Sequence, residues 1–160
     1  MVIKARSLVS FALIALAPST ACAAHYYNDL YGYCITVPAE LFPQGEADAH
    51  DGQVFLSRDA RVSLRVWGQW DMEPFTFAGL YRETARDSPA GNGHGARVIT
   101  YTLFRPTYFV ISGLENSKVF YQRTIYSARQ GAYATFLLEH PKGNRMAEGY
   151  LKQLTTSLKF

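Results

Sequence analysis

Short runs of aromatic and β-branched residues, separated by turn residues, fill the second half of the chain from Arg97 to Glu139. Such runs, bounded by Gly, Asn and Ser, are typical of an antiparallel meander. In the first run Ile99, Tyr101 and Leu103 occupy every second position. This alternation predicts that the three side chains share the core-facing side of a strand.

Alternation also predicts strands in the first half of the chain. Apolar residues alternate along residues 31–37, and Pro38 ends this strand because proline lacks a backbone donor. Residues 54–56 and 62–66 predict two further strands. The second of these alternates core and solvent positions, as a sheet with one wet face requires.

Other stretches predict connections. Leu41 and Phe42 lie in a short turn, and we expect both side chains to tuck under the sheet. Residues 44–53 are polar and acidic without periodicity, and residues 87–95 are rich in glycine, so both stretches predict loops.

Apolar residues at helical spacing predict two helices. The first opens at Glu73-Pro74, since an acid and a proline are common near helix starts. Its stripe consists of Phe77, Leu80, Tyr81 and Thr84. The stripe of the second helix consists of Ala147, Tyr150, Leu151, Leu154 and Leu158. Residues 157–160 predict a short edge strand.

This order of elements predicts an α+β fold, an antiparallel sheet of about six to seven strands flanked by two helices. We expect residues 24–160 to form it as a single domain, because that length suits one core and is too short for two.

The N-terminal residues have the layout of a secretory signal peptide. Lys4 and Arg6 precede an apolar run at 8–16 that is too short to span a bilayer, and small residues follow. We expect residues 1–23 to be cleaved, with Ala24 as an alternative cleavage position. The protein is then expected to be periplasmic or secreted, with no transmembrane segment after cleavage.

Two cysteines bear on this expectation. Cys22 is the alternative, lipid-anchored first residue of a lipoprotein, although Ser19 stands where a lipobox usually has an aliphatic residue. In either mature form Cys34 has no intramolecular partner. We interpret it as a small apolar residue of a strand.

Charge and composition exclude some classes of function. Removing Lys4 and Arg6 lowers the formal net charge from +3 to +1, which argues against nucleic-acid binding. Aromatic residues make up 14% of the chain, and in a β-rich domain most of them are expected to pack on sheet faces.

The opening residues 26–38, with Tyr-Tyr-Asn followed by Tyr-Gly-Tyr-Cys-Ile-Thr-Val-Pro, resemble the start of the PsbP-like fold. That fold is shared by the extrinsic photosystem II subunit and a Ran-binding nuclear transport factor. The strand pair at 54–66, the mid-chain helix, the meander and the closing residues 151–160 follow in a similar order. Residues 51–59 are also similar to a segment of uncharacterised secreted proteobacterial proteins.

The resemblance implies an α/β/α sandwich and a non-enzymatic binding or assembly module, because the named relatives are accessory proteins. It carries no catalytic motif. Neither photosystem nor Ran binding is carried over, because no binding residue of either matches this chain.

The strongest cluster of chemically active residues is in the predicted loop and just after it. Asp48, His50, Asp51 and Asp59 could hold a divalent cation or act as an acid–base pair. Their spacing matches no metal-ligand motif. His94, within Gly93-His94-Gly95, likewise lacks the pattern of a phosphate-binding loop. We therefore assign no catalytic residue, metal or cofactor.

Two tryptophans are the better contact candidates. Trp67 and Trp70 end the strand at 62–66, with Trp67 on its polar side. Exposed Trp dominates binding hot spots, whereas the competing interpretation is that the following helix covers Trp67. With the loops at 44–53 and 87–95, His50, Asp51 and His94, they form the expected contact surface.

The function expected from these patterns is binding or assembly of an unknown protein or small ligand in the bacterial cell envelope. One alternative is a small metal-dependent or hydrolytic periplasmic enzyme using Asp48, His50, Asp51 and His94. Another is an envelope protein of the immunity type. None of these patterns identifies the ligand or the oligomeric state.

The leader hypothesis makes a direct prediction about the exported protein. Mass spectrometry of its mature N-terminus should find Ala24 as the first residue. An acylated Cys22 would instead show membrane anchoring and contradict the prediction.

Overall fold

The computed structural model describes residues 24–46, 48–89 and 96–160. These residues form nine strands and two helices. The strands are β1 (Ala24–Asn28), β2 (Tyr33–Val37), β3 (Phe42–Glu46), β4 (Gly52–Leu56), β5 (Ser63–Trp70), β6 (Arg97–Arg105), β7 (Tyr108–Glu115), β8 (Lys118–Ser127) and β9 (Ala132–Pro141). The helices are α1 (Phe77–Thr84) and α2 (Arg145–Ser157).

Seven of the described strands form one antiparallel sheet in the order β3-β4-β5-β9-β8-β7-β6, and β1 and β2 form a separate hairpin. Strands β6 to β9 pair consecutively, which confirms the predicted meander. The predicted α+β class, with an antiparallel sheet and two helices, is also confirmed. β9 lies at the centre of the sheet, and β3 and β6 are its edges.

One face of the sheet is covered by α2 and the β1–β2 hairpin. The first core cluster on this face comprises Tyr33, Ile35, Val37, Leu41, Phe55, Val62, Leu64, Val66, Ala134, Phe136, Leu138, Ala147, Tyr150, Leu154 and Leu158. The cluster contains alternate residues of β5 and β9 and all of the predicted α2 stripe except Leu151, which is partly buried against it. The predicted alternation of β5 and the α2 stripe are therefore confirmed. Cys34 points away from it and is half-buried, and its backbone pairs with Lys159 near the chain end.

The opposite face is covered by α1. The second core cluster comprises Phe77, Phe109, Ile111, Phe120, Tyr133 and Leu137. The Phe77 ring lies 5.3 Å from the ring centre of Phe109 and stacks on Tyr126 at 5.2 Å. These aromatic contacts hold the short helix on the sheet.

The helix α1 begins later than predicted. Its first residue is Phe77 rather than Glu73 or Pro74. The side chain of Thr76 accepts a hydrogen bond from the Gly79 N–H, and Asp71 accepts one from the Phe77 N–H. Because these side chains satisfy the first free N–H groups, they set the start of the helix.

Both predicted boundaries of the loop at 44–53 are wrong, because β3 extends to Glu46 and β4 begins at Gly52. β3 is exposed along its length and pairs on one side only. Such an edge strand buries neither face, so it needs no apolar alternation and tolerates proline. Phe42, expected under the sheet, is 40% exposed, whereas Leu41 is buried as predicted.

The predicted common face of Ile99, Tyr101 and Leu103 is also wrong. The pairing of β6 with β7 shifts between Ile99 and Tyr101, so Thr100 is an extra residue in the strand. A bulge of this kind reverses the faces on which the following residues lie. Ile99 packs against the second core cluster, whereas Tyr101 is on the other face and 49% exposed.

Two glycines allow a matched test of the packing. A Cβ on Gly113 of β7 would lie 2.0 Å from the Val98 carbonyl oxygen, whereas one on Gly149 of α2 meets nothing within 4 Å. Gly113→Ala should lower the free energy of unfolding by about 1–3 kcal/mol. Gly149→Ala should raise it by about 0.5–1 kcal/mol, because alanine favours helix. Urea unfolding measures both, and equal effects would contradict the described packing.

The buried Tyr133 is expected to make the free energy of unfolding vary with pH in the alkaline range. Burial, reinforced by the nearby charge of Asp71, raises the pKa of Tyr133 to about 12. The folded state therefore keeps this proton while the unfolded chain loses it near pH 10. The resulting stability should be complete below pH 10 and be lost as pH rises to about 12, by at most about 1.4 kcal/mol per pH unit. Urea unfolding of Tyr133→Phe should show a shallower decline than wild type, and an identical decline would contradict this assignment.

Candidate functional site

A groove of about 360 Å³ lies near the β3 edge of the sheet. Three neighbouring strands and the turn between β3 and β4 line it. The lining residues are Gln44, Gly45, Glu46, Asp51, Gly52, Gln53, Val54, Arg65, Val66 and Trp67. The groove thus contains Trp67, Asp51 and part of the 44–53 stretch that the sequence singled out.

Irregular pairing of β3 shapes this groove. The register of β3 against β4 shifts between Pro43 and Glu46, and Gly45 has a φ of 104° that only glycine adopts easily. On β4, a Cβ at Gly52 would lie 1.9 Å from the Val66 carbonyl oxygen. The bulged edge leaves space that a regular strand pair would fill, whereas the absent Cβ of Gly52 lets the backbone of β5 approach β4 closely.

Three side chains form one side of the groove because they lie on the same face of the sheet. Val54 pairs with Arg65, and Trp67 follows two residues further along β5. Trp67 is half-buried and also packs against the second core cluster with Leu80 of α1. The expected cover therefore applies to the part of Trp67 that packs on this cluster, which includes Phe77 of α1. The expected contact role of Trp67 stays a prediction.

The charges around the groove are partly paired. Arg65 Nη2 lies 3.6 Å from Glu139 Oε2, and Ser63 Oγ donates to the same oxygen over 3.2 Å. The Arg65 side chain remains 53% exposed. His50 Nδ1 lies 3.3 Å from Glu46 Oε2. The groove therefore combines an aromatic and an aliphatic surface with one accessible guanidinium group and the acidic residues Glu46 and Asp51.

The groove is attached to the core through the backbone of Asp51. The Tyr33 hydroxyl donates to the Asp51 carbonyl oxygen over 3.1 Å, and the Gly68 N–H donates to it over 2.8 Å. The Asn28 side chain donates to the His50 carbonyl oxygen over 2.8 Å. These bonds fix the turn before β4, so one wall of the groove is preorganised.

The structure separates the acidic residues of the predicted cluster. Asp51 precedes β4 and Asp59 follows it, and a strand of five residues spans about 16 Å. Asp59 closes its own turn: Ser57 Oγ donates to it over 2.6 Å and the Arg61 N–H over 3.2 Å, which lowers the pKa of Asp59. His50 and Asp48 are exposed. In the described ranges no group of three His, Cys, Asp or Glu side chains is placed to hold a metal ion.

Trp70 does not share a surface with Trp67. β5 pairs with β9 without a shift, so residues three apart point to opposite faces. The Trp70 ring lies 5.0 Å from that of Tyr31, beside the first core cluster. Trp70, Met72 and Phe75 are 39%, 59% and 58% exposed. His94 lies outside the described residues, as does most of the predicted 87–95 loop.

Some polar residues of the α1 face were missed at the sequence level. Gln122 is 3% exposed, and the Arg97 guanidinium lies 4.1 Å from the ring centre of Phe120. Within the described residues, Gln122 Nε2 and Arg97 Nε have no hydrogen-bond partner. Thr124 and Thr135 bond across the strands over 2.9 Å. The polar positions that interrupt the apolar runs of β8 and β9 are the signal that could have indicated them.

A second depression, of about 450 Å³, lies beside the other end of β3 and the start of α2. Its lining residues are Ala39, Glu40, Phe42, Ser57, Arg58, Asp59 and Met146. The Arg58 guanidinium lies 5.5 Å from the ring centre of Phe42. The sequence patterns named Phe42 and Asp59 in other roles and did not group these residues, because they come from two connections and the ends of two elements.

Neither helix of the described segments has the length and apolarity needed to cross a membrane. A scan against protein-family models finds no match to this chain, and a search of curated proteins finds no significant relative. The site must therefore be interpreted from its own chemistry.

Proposed function

We propose that this protein is a non-enzymatic binding module of the bacterial cell envelope, with a PsbP-like fold. The leader-like pattern of residues 1–23 supports export. The sheet covered by a helix on each face is compatible with the layers of that fold. The observation that carries the proposal is the groove, in which Trp67 and Asp51 lie together with part of the polar stretch 44–46.

The groove suits a small ligand or peptide segment with a flat apolar part and an anionic group. Trp67 and Val54 offer apolar contact area, and Trp supplies much of it without loss of many rotamers. Arg65 is accessible at 53% exposure and lies on the same face, where it can pair with a carboxylate, sulfonate or phosphate. Binding pockets commonly combine such an apolar lining with a few polar groups.

The enzyme hypothesis gains less support from the geometry. His50 is exposed on a turn and lies beside Glu46 rather than beside a nucleophile. Asp51 contributes its backbone carbonyl to two structural hydrogen bonds. No contact of these residues favours the enzyme or the immunity-type alternative over binding.

The two tryptophans allow the groove to be tested separately from the rest of the surface. Trp70→Phe leaves Trp67 as the single tryptophan, and Trp67→Phe leaves Trp70. Anilinonaphthalenesulfonate, an aromatic anion, serves as the defined probe. Its titration should change the emission of Trp67 in the first variant more than that of Trp70 in the second.

Two further substitutions, made in the Trp70→Phe protein, should weaken this binding at least about tenfold. Val54→Phe fills the groove, and Arg65→Gln removes the cation without shortening the side chain greatly. Val98→Phe on the far edge strand β6 is the matched control and should leave the affinity unchanged. Equal binding by all variants would show that the probe occupies another surface and would contradict the proposal.

A further inference from the structure

The two edges of the seven-stranded sheet differ in their protection against pairing with another strand. β3 is short, contains Pro43 and Glu46, and breaks its register near Gly45. These are devices by which proteins block association through sheet edges. Apart from the bulge at Thr100, residues 98–104 of β6 have none of them, because their sequence Val-Ile-Thr-Tyr-Thr-Leu-Phe contains no charge and no proline.

The first part of the β6 edge is already occupied within the chain. Arg97 exchanges backbone hydrogen bonds of 3.0 and 2.8 Å, and the Ile99 N–H donates over 2.7 Å, all to residues 87–88. Edge-facing backbone groups belong to alternate residues of a strand, and the bulge shifts this alternation by one residue. Beyond the bulge, the N–H and C=O groups that face outward are therefore those of Thr102 and Phe104.

We infer that the β6 strands of two copies of this chain pair antiparallel about a two-fold axis at Leu103. In this register Thr102 of each copy lies opposite Phe104 of the other. Their outward groups form about four backbone hydrogen bonds between the copies. A second copy is the occupant because antiparallel pairing of one strand with itself uses the same patch on both sides, as a closed dimer requires.

The side chains fit this register. Arg105 lies opposite Tyr101 of the second copy, and no two like charges face each other. The Arg105 guanidinium now donates to the Phe104 carbonyl oxygen over 2.9 Å. On pairing, that carbonyl accepts from the Thr102 N–H of the second copy. The guanidinium then moves over the Tyr101 ring, which is 49% exposed in the single chain.

The interface is small, because only the part of β6 beyond the bulge takes part. Contacts of this size belong to the weak, concentration-dependent class. Exposed Tyr101 and Phe104 contribute apolar area on the two faces of the joined sheet. The groove near β3 remains free, since it lies at the opposite edge, so the dimer is independent of the proposed binding function.

Sedimentation equilibrium of the mature chain tests the inference. The mean mass should rise from one to two chains between about 1 µM and 1 mM. Thr102→Pro should keep the protein monomeric, because it deletes an N–H that faces outward and leaves the bonds to β7 intact. Thr102→Val is the matched control and should still dimerise. A wild-type chain that is monomeric up to about 1 mM would overturn the inference, even if an added extended peptide bound to β6.

A charge exchange tests the register itself. In the proposed register Leu103 of one copy lies opposite Leu103 of the other. Leu103→Lys and Leu103→Glu should therefore each be monomeric, because like charges would repel each other across the interface. An equimolar mixture of the two should dimerise. Circular dichroism melting of each variant checks that it is folded. Dimerisation of either folded variant alone, or failure of the mixture to associate, would overturn the pairing at Leu103.

Discussion

Burial of β9 on both of its faces is the constraint on which the rest of the structure depends. Its residues from Ala132 to Leu138 are all buried, and it pairs along its length with β5 and β8. A strand buried on both sides needs cover on both sides. The α2 helix and the β1–β2 hairpin provide it on one face, and α1 provides it on the other. The positions of both helices follow from this requirement.

The distance of a strand from β9 then determines how strongly core packing fixes its pairing register. At the centre, apolar contacts on both faces fix the register, because a slip by one residue would exchange the two faces. Toward β3 the cover ends and the pairing becomes irregular around Gly45, which leaves the groove. Toward β6 the bulge at Thr100 turns Tyr101 outward. Both surfaces proposed for binding thus lie toward the edges of the sheet, where the strand pairing is irregular.

The preorganised wall of the groove connects its geometry to the core. Tyr33 is fully buried, and its hydroxyl holds the Asp51 carbonyl just before β4. Burial also raises the pKa of this hydroxyl, so it keeps its proton at alkaline pH values where an exposed tyrosine loses it. Trp67 likewise packs against the second core cluster while it lines the groove. A ligand in the groove would therefore meet a surface that loses little freedom on binding.

The sequence by itself determined the α+β class, the meander, the α2 stripe and the alternation of β5, because each depends on periodicity within one element. Period two along β5 was also sufficient to place Trp67 and Trp70 on opposite faces, although they were grouped as one surface. Only the tertiary structure decided that β3 is a strand, that β6 is bulged, and that Asp51 and Asp59 lie apart. An edge strand such as β3 has no buried face, so its sequence shows no apolar alternation. A bulge depends on the pairing with the partner strand. The distance between two loops depends on the length of the strand that separates them.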